Sequence, residues 1–531
     1  MSLYDTNFTG WDWGIVGVYL AASIVIGLWA NRYVGNLSNY LLAGRTLRIR
    51  LALATMTGTE LGLVTVMYSA ELGYLQQYAS LYLALYEAAF LLIIGLSGFV
   101  VYRLRQTAVL TIPEYYERRY SRGVRVVGGS MMVVSGVLNM GLFLKAGAQF
   151  LTAISGLQDP LYLKLIMTGL LLLVLFYTVL GGMVSVVITD LVQFVVLGIG
   201  MLVVTWFVVS HIGFDGLQDV VTVHDGYVDP TSAVNPTNPN VPAAGIGGGK
   251  MVQMAVVLFT ALMLWPAGAS RTLAVKSSEV AQQLYLYSTI PFLARRALPV
   301  LWGIGAFAFF RMNPELLNAF QNEVAASANG GGTGVSSLSA TPLFLAKIIP
   351  TGILGLVTAG MVAAFMSTHD SYLLCWSGVV TQDIVAPLFG PLSQRQRILS
   401  TRISIVVIGA MLLVWGLWYE TKANLWEYMA TTGTVYLAGV LPVVVGGLYW
   451  KRSATAGAYV ALLGGVTGVL AMGPAVNWMN LKLKSVQVSF HIENWHMVLA
   501  TFAISSLGFV VVSLLFPQQT KPSSHQPKGT T

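Results

Sequence analysis

Charge is scarce in this chain. Of its 531 residues, 9% are Asp, Glu, Lys or Arg, against about a quarter in an ordinary soluble domain. Hydrophobic residues make up 56%, too many to hide in soluble cores. The length would allow several soluble domains, but the composition points instead to a multi-span membrane protein. Cysteine is nearly missing: Cys375 stands alone, so no intrachain disulfide can form and the redox compartment is not readable. Before Arg32 there is no Lys or Arg, only Asp5 and Asp12. That is the reverse of a signal-peptide n-region, and the first apolar run is expected to stay as a span. The chain has no GxxxxGKS/T loop, which argues against ATP drive. It shows no metal-ligand cluster, no nucleophile elbow and no soluble catalytic domain. Neither enzymatic chemistry nor an organic cofactor is expected.

What is present is apolar sequence in lengths of about 20 residues, the thickness of a bilayer. Thirteen segments read as spans: 12–33, 50–73, 78–103, 124–156, 160–180, 183–212, 250–272, 279–311, 351–386, 396–419, 424–449, 453–475 and 494–516. Two connectors, 213–249 and 312–350, are rich in Gly, Pro, Asn and Ser and are expected to be partly mobile. The tail 517–531 is expected to be disordered. With the N-terminus placed outside, nineteen of the 29 Lys and Arg fall on inside loops, Arg271 among them, and five on outside loops. The other five, Lys145, Lys164, Arg295, Arg296 and Lys347, lie in or near spans. The asymmetry follows the positive-inside rule and places the C-terminus in the cytoplasm. It also accounts for the net charge of +8 without nucleic acid.

Two spans carry helix breakers at mid-depth. The second holds Thr57-Gly58-Thr59-Glu60 and the seventh Trp265-Pro266-Ala267-Gly268. Proline lacks a backbone donor and clashes with the preceding turn, and glycine weakens a helix. If each half has five spans, 2–6 and 7–11, both breaks open a repeat. This is the pattern of inverted-repeat transporters, in which unwound backbone at mid-membrane binds ion and solute. Ordinary kinks are the plain alternative.

Ionisable groups inside a membrane are costly and are functional candidates. They are Glu60, Glu87, Asp190, Asp370 and Lys145. In span 9, Ala364, Ser367, Thr368 and Ser371 follow one another at helical spacing and share a face. A carbonyl and hydroxyls on one face suit a hard monovalent cation, with carbonyls of Gly58 and Leu61 able to complete the set. Asp190 and Asp370, with Ser371, are candidates for a second cation or its proton equivalent. The plainer reading is that these hydroxyls bond their own helix. Lys145 and Glu87 either neutralise one another or meet a solute. His369 and Cys375 read as packing residues, since one His beside one Asp makes no metal site.

Five stretches make the chain similar to a known family. They are YLLAGRTL (40–47), TIPEYYERRYS (111–121), YTVLGGMVSVVITDLVQ (177–193), RTLAVKS (271–277) and PTGILGLVTAGMVAAFMSTHDSYLL (350–374). With them the chain resembles the sodium:solute symporter family, which has the leucine-transporter-like five-plus-five inverted-repeat fold. The resemblance implies a main sodium site on Gly58, Leu61, Ala364, Ser367 and Thr368. It implies a second, in some members, on Asp190, Ser367, Asp370 and Ser371, although other members have hydroxyl residues where this chain has Asp370. Glu60 matches an aspartate position of proline-type members. Glu87, in LYEAAFLLIIG, resembles the Tyr-Glu pair that contacts sugar in sugar-type members. Ala261 stands where those members have a gating tyrosine, and Trp265 and Pro266 where they have polar side chains.

The expectation is therefore an all-α polytopic membrane protein with about thirteen transmembrane helices, helices 2 and 7 broken. Residues 1–35 form an extra span, 36–450 the inverted-repeat core, and 451–516 two C-terminal spans. The function expected is sodium-driven symport of a small polar organic solute, amino acid or carboxylate ahead of sugar, in a bacterial plasma membrane. Candidate solute contacts are Thr59, Glu60, Thr65, Glu87, Lys145, Gln149 and Trp265. Besides lipid, only the solute and sodium are expected as partners, with no obligate protein partner. The competing readings are proton coupling, a sensor on the same fold, for which no signalling domain is read after residue 516, and a passive channel, for which no charge ring or filter repeat is seen.

Overall fold

A computed structural model describes residues 2–30, 45–157, 159–222, 247–328, 335–418, 425–487 and 489–517. Among them there is no β-strand, only a single bridge between Leu47 and Val275. Lipid offers no partner to a backbone N–H or C=O, so spanning segments satisfy their own. The described parts of all thirteen predicted segments are mostly helical. Among the described residues, ten helical runs are long and apolar enough to cross a bilayer. The predicted span 453–475 is not straight: Thr455–Ala471 and Gly473–Ser485 meet at 74°, where Pro474 cannot donate to the preceding turn.

The helices that build the centre are α1 (Gly10–Ala30), α2 (Ile49–Glu60), α3 (Leu63–Gln76), α4 (Tyr82–Ser97) and α5 (Arg122–Met140). They continue with α6 (Pro160–Thr222), α7 (Gly248–Leu264), α8 (Pro266–Ala274) and α9 (Ser278–Met312). The last two are α10 (Ile353–Val379) and α11 (Leu425–Tyr449). The α6 run carries two spans, Leu161–Val179 and Thr189–Val220. Tyr177 donates to the Met366 carbonyl, and Asp190 accepts from Ser367, so both spans pack against α10.

Both expected breaks are present, and the first lies later than expected. The α2 helix runs through Gly58 to Glu60, leaves helical geometry at Leu61 (φ −87°, ψ 58°) and extended Gly62, and restarts as α3. Gly58 stays helical, and its bare Cα allows a close approach to Asp190, whose carbonyl would be 3.2 Å from an added Cβ. At Gly62 a Cβ would stand 2.1 Å from the Thr368 hydroxyl, so only glycine lets the break close on α10. The second break is at Trp265, extended at ψ 126°. Pro266 after it disfavours the helical region for the preceding residue.

The connector 312–350 is more ordered than its composition suggests. It holds helices Pro314–Ala328 and Ala340–Ile348. Leu343, Phe344 and Leu345 of the second are buried, and the Ser337 hydroxyl donates to Glu71 at 2.5 Å. Residues 329–334, the glycine run of this connector, lie outside the described residues. Residues 31–44, 223–246 and 518–531, which include most of the other connector and of the tail, lie outside the described residues.

The α9 helix packs along α3 and α4 more extensively than any other pair of helices. Its contact with α3 depends on two glycines. A Cβ on Gly303 would meet the Ala70 carbonyl at 2.0 Å, and one on Gly73 the Val300 carbonyl at 2.2 Å. Small residues bring membrane helices this close. Gly303→Ala is expected to lower stability by about 1–3 kcal/mol through overpacking. Gly169→Ala, where nothing lies within 4 Å, is expected to be neutral or to stabilise by up to about 1 kcal/mol. Thermal unfolding of the purified protein in detergent checks both.

Candidate functional site

The end of α2 leaves carbonyl oxygens without intrahelical partners, as every helix C-terminus does. Side chains of α9 and α10 meet them. Ser367 Oγ donates to the Gly58 carbonyl at 3.2 Å, and Thr368 Oγ1 to the Thr59 carbonyl at 3.3 Å. Thr368 also reaches its own helix at the Ala364 carbonyl, 3.1 Å away. The Glu60 carbonyl accepts from Thr65 Oγ1 at 3.0 Å and from Arg295. Gly58, Ala364, Ser367 and Thr368 thus form one cluster of hard oxygen atoms, at the negative end of a half-helix, with Leu61 at the break beside them. Such an end suits a monovalent cation.

Beside it lies a second polar cluster. Asp190 Oδ2 accepts from Thr55 (2.6 Å) and Thr59 (3.2 Å), and Oδ1 from Ser367 (2.5 Å). Asp370 accepts from Tyr177 (3.0 Å) and Ser371 (3.2 Å). Arg271 joins them, with Nη2 2.6 Å from Ser371 Oγ and 3.6 Å from Asp190. The loop position expected for Arg271 is therefore corrected. It is among the largest fully buried side chains, since it lies past the break, within the span Gly248–Ala274.

Across the break is a cavity of about 100 Å³. Glu60, Thr65, Glu87 and Trp265 are on its wall, and so are Arg295 and Arg296. Glu87 is fully buried, with one oxygen held by Arg295 and the other by Arg296 Nε at 3.0 Å. Arg295 also stands 3.6 Å from the Glu60 carboxylate. The guanidinium planes lie over aromatic faces, Arg295 over Phe292 at 4.0 Å and Arg296 over Trp426 at 4.7 Å. Trp265 Nε1 donates to Tyr372 Oη at 3.0 Å.

The sodium:solute symporter family model matches residues 40–465. The chain belongs to the sodium:solute symporter family. Its relatives include the sodium/glucose cotransporter of Vibrio parahaemolyticus, 26% identical over 485 residues, spanning 88% of this chain and 86% of that protein. The bovine sodium/mannose cotransporter is 24% identical, with 86% and 77% covered. The human sodium/myo-inositol cotransporter is 25% identical, with 96% and 74% covered. The fold is that of a Na+-coupled sialic acid symporter solved in a substrate-bound outward-open state. That match has a TM-score of 0.75 at 18% identity and covers 95% of this chain and 98% of that one.

In this symporter the predicted site residues divide three ways. Gly58, Leu61, Ala364, Ser367 and Thr368 meet where α2 breaks against α10. Asp190, Asp370, Ser371 and Thr59 join the buried cluster, so Thr59 faces that cluster rather than the cavity. Glu60, Thr65, Glu87 and Trp265 reach the cavity. Lys145 and Gln149 do not line it, and Gln149 belongs to a separate small pocket with Tyr4 and Ser339. Lys145 is not the partner of Glu87, whose two oxygens are taken by the arginines. His369 pairs with the Phe365 carbonyl of its own helix at 2.8 Å. The sequence placed Arg295 and Arg296 in or near a span but did not mark them as site residues, although two adjacent arginines within an apolar segment were the signal for it.

Glu87 is the only group bridging the two arginines among the described ion pairs. Glu87→Gln is expected to cost about 3–5 kcal/mol, because it leaves buried charge uncompensated. Arg118→Gln, which removes the exposed Arg118–Glu114 pair, is expected to cost at most about 1 kcal/mol. Unfolding midpoints of the two variants against wild type check the contrast.

Proposed function

We propose that this chain is a secondary active symporter that imports a small polar organic solute together with Na+ by alternating access. Family membership supports sodium-coupled solute symport. The observation that carries the mechanism is the junction of α2 with α10, where oxygen atoms of both sides of the junction stand together next to the cavity. Sodium bound to the Gly58, Leu61 and Ala364 carbonyls and the Ser367 and Thr368 hydroxyls ties the broken helix to α10. A ligand with higher affinity for one conformation shifts the population toward it. Sodium thereby favours the outward-open form, solute closes it, and both leave on the cytoplasmic side. A potential of 100 mV contributes about 2.3 kcal/mol per charge, roughly fiftyfold in accumulation.

Asp190, Asp370 and Ser371 are the proposed ligands of a second cation. Two carboxylates against Arg271 alone leave one negative charge for it to balance. For the solute, Glu60, Thr65, Glu87 and Trp265 are the proposed contacts, joined by Arg295 and Arg296. The arginines favour an amino acid or carboxylate over the sugars and inositol named for the relatives. The proposed core is 36–450, with 1–35 and 451–516 flanking it. The setting proposed is a bacterial plasma membrane, with the N-terminus outside and the C-terminus inside.

Purified protein in liposomes tests the proposal, with uptake of radiolabelled amino acids, carboxylates and sugars measured under a sodium gradient. Accumulation of one solute above equilibrium that stops when choline replaces sodium at fixed pH is the expected result. Accumulation that follows a pH gradient and ignores choline replacement would favour proton coupling instead. Binding without any uptake would make the protein a sensor.

A further inference from the structure

The cavity wall has a charge balance that selects among polar solutes. Glu60 and Glu87 face Arg295 and Arg296, two negative charges against two positive. Glu87 is saturated, with both oxygens held. Glu60 is not: its carboxylate is 19% exposed, and its ion-pair partner Arg295 stands 3.6 Å away, beyond good hydrogen-bond distance. Asn139, also on the wall, spends its amide N–H on the Met429 carbonyl and Thr432. Its Oδ1 is buried without a partner. On the donor side, Arg296 is 1% exposed and its Nη1 is buried without a partner. The wall therefore holds a partly exposed, under-bonded acceptor at Glu60 and two buried polar atoms without partners, Asn139 Oδ1 and the charged donor Arg296 Nη1.

The rest of the wall is largely apolar, including Met56, Val257, Leu258, Ala261, Leu262 and Leu437. A polyol carries hydroxyls around its whole circumference, and those facing this side would be buried without partners, which is unfavourable. A simple carboxylate would satisfy Arg296 but would bring no donor for Glu60 and Asn139 Oδ1, which stay under-bonded at a cost. A zwitterion supplies both the acceptor and the donor.

We propose that the solute is a net-neutral zwitterion with an apolar side chain, of the α-amino-acid class. This refines the symport reading above and rests on it. The solute carboxylate accepts from Arg296 Nη1 in a charge-assisted bond, which is stronger than one to a neutral hydroxyl. Its ammonium donates to Glu60 and Asn139 Oδ1. Its side chain lies against the apolar wall. Glu60 also supplies, through its carbonyl, an acceptor for Arg295 at the end of α2. Binding of the ammonium is thus one residue away from the oxygens proposed for sodium.

The test is a thermal-stability titration of the purified full chain with and without sodium. The probes are L-leucine, L-phenylalanine, 4-methylpentanoate (the leucine skeleton without ammonium), 3-methylbutylamine (the same without carboxylate), D-glucose and myo-inositol. The expected result is sodium-dependent stabilisation by leucine or phenylalanine. Half-saturation should rise roughly tenfold or more for each truncated analogue, as expected when a charged contact is lost, with no response to glucose or inositol. Glu60→Gln should weaken the amino acid by a similar factor while leaving stabilisation by sodium alone in place. Sodium-dependent stabilisation by glucose or inositol, or by 4-methylpentanoate as strongly as by leucine, overturns the zwitterion and leaves symport standing. So does a response to sodium with none from any probe at millimolar concentration. Indifference to sodium throughout removes the symport reading as well.

Discussion

A helix that stops inside a membrane must find donors for its last carbonyls, because lipid provides none. At the end of α2 those donors are Ser367, Thr368, Thr65 and Arg295. They come from α10, from α3 beyond the break and from α9, so satisfying the break also fixes three helices around it. Gly62 is the condition for this, since any side chain there would occupy the place of the Thr368 hydroxyl. In the proposed sodium site, a cation that takes the carbonyls would release the two hydroxyls from donating and make them ligands themselves.

The charges follow from the same junction. Arg295 meets the Glu60 carbonyl on one side and the Glu87 carboxylate on the other. It thereby ties the proposed ion site to the cavity through a single guanidinium. Glu87 and Arg296 complete a set that sums to zero, which makes its burial tolerable. The Asp190–Asp370–Arg271 cluster sets two carboxylates against one guanidinium. It meets α2 through Thr55 and Thr59, next to Met56 and Glu60 on the cavity wall. The proposed roles, a cation for this cluster and a solute for the cavity, follow that difference.

Much of this was legible before any coordinates. Apolar periodicity marked the helices, and Pro266 placed the second break to the residue, since proline acts on its own neighbour. The first break was displaced toward Gly58, because a glycine that permits close packing and one that permits a turn look alike in sequence. The face of Ser367 and Thr368 was readable from helical spacing alone. Which acid meets which base was not. Glu87 pairs with residues more than two hundred positions away, a matter of how α9 lies along α4. Lys145 had equal claim until the helices were placed. Arg271 read as a loop charge because it falls at the edge of its apolar segment, where the sequence does not show that Asp190 and Ser371 lie beside it.

The central claim is that the coupling ion is held where α2 breaks against α10. Equilibrium binding of radioactive sodium to the purified protein, wild type against Ser367→Ala and Thr368→Val, tests it most directly. The account predicts saturable binding in wild type that weakens roughly tenfold or more in both variants, a loss of at least 1.4 kcal/mol, with the fold intact by circular dichroism. Sodium affinity unchanged in both variants would contradict it and move the ion elsewhere.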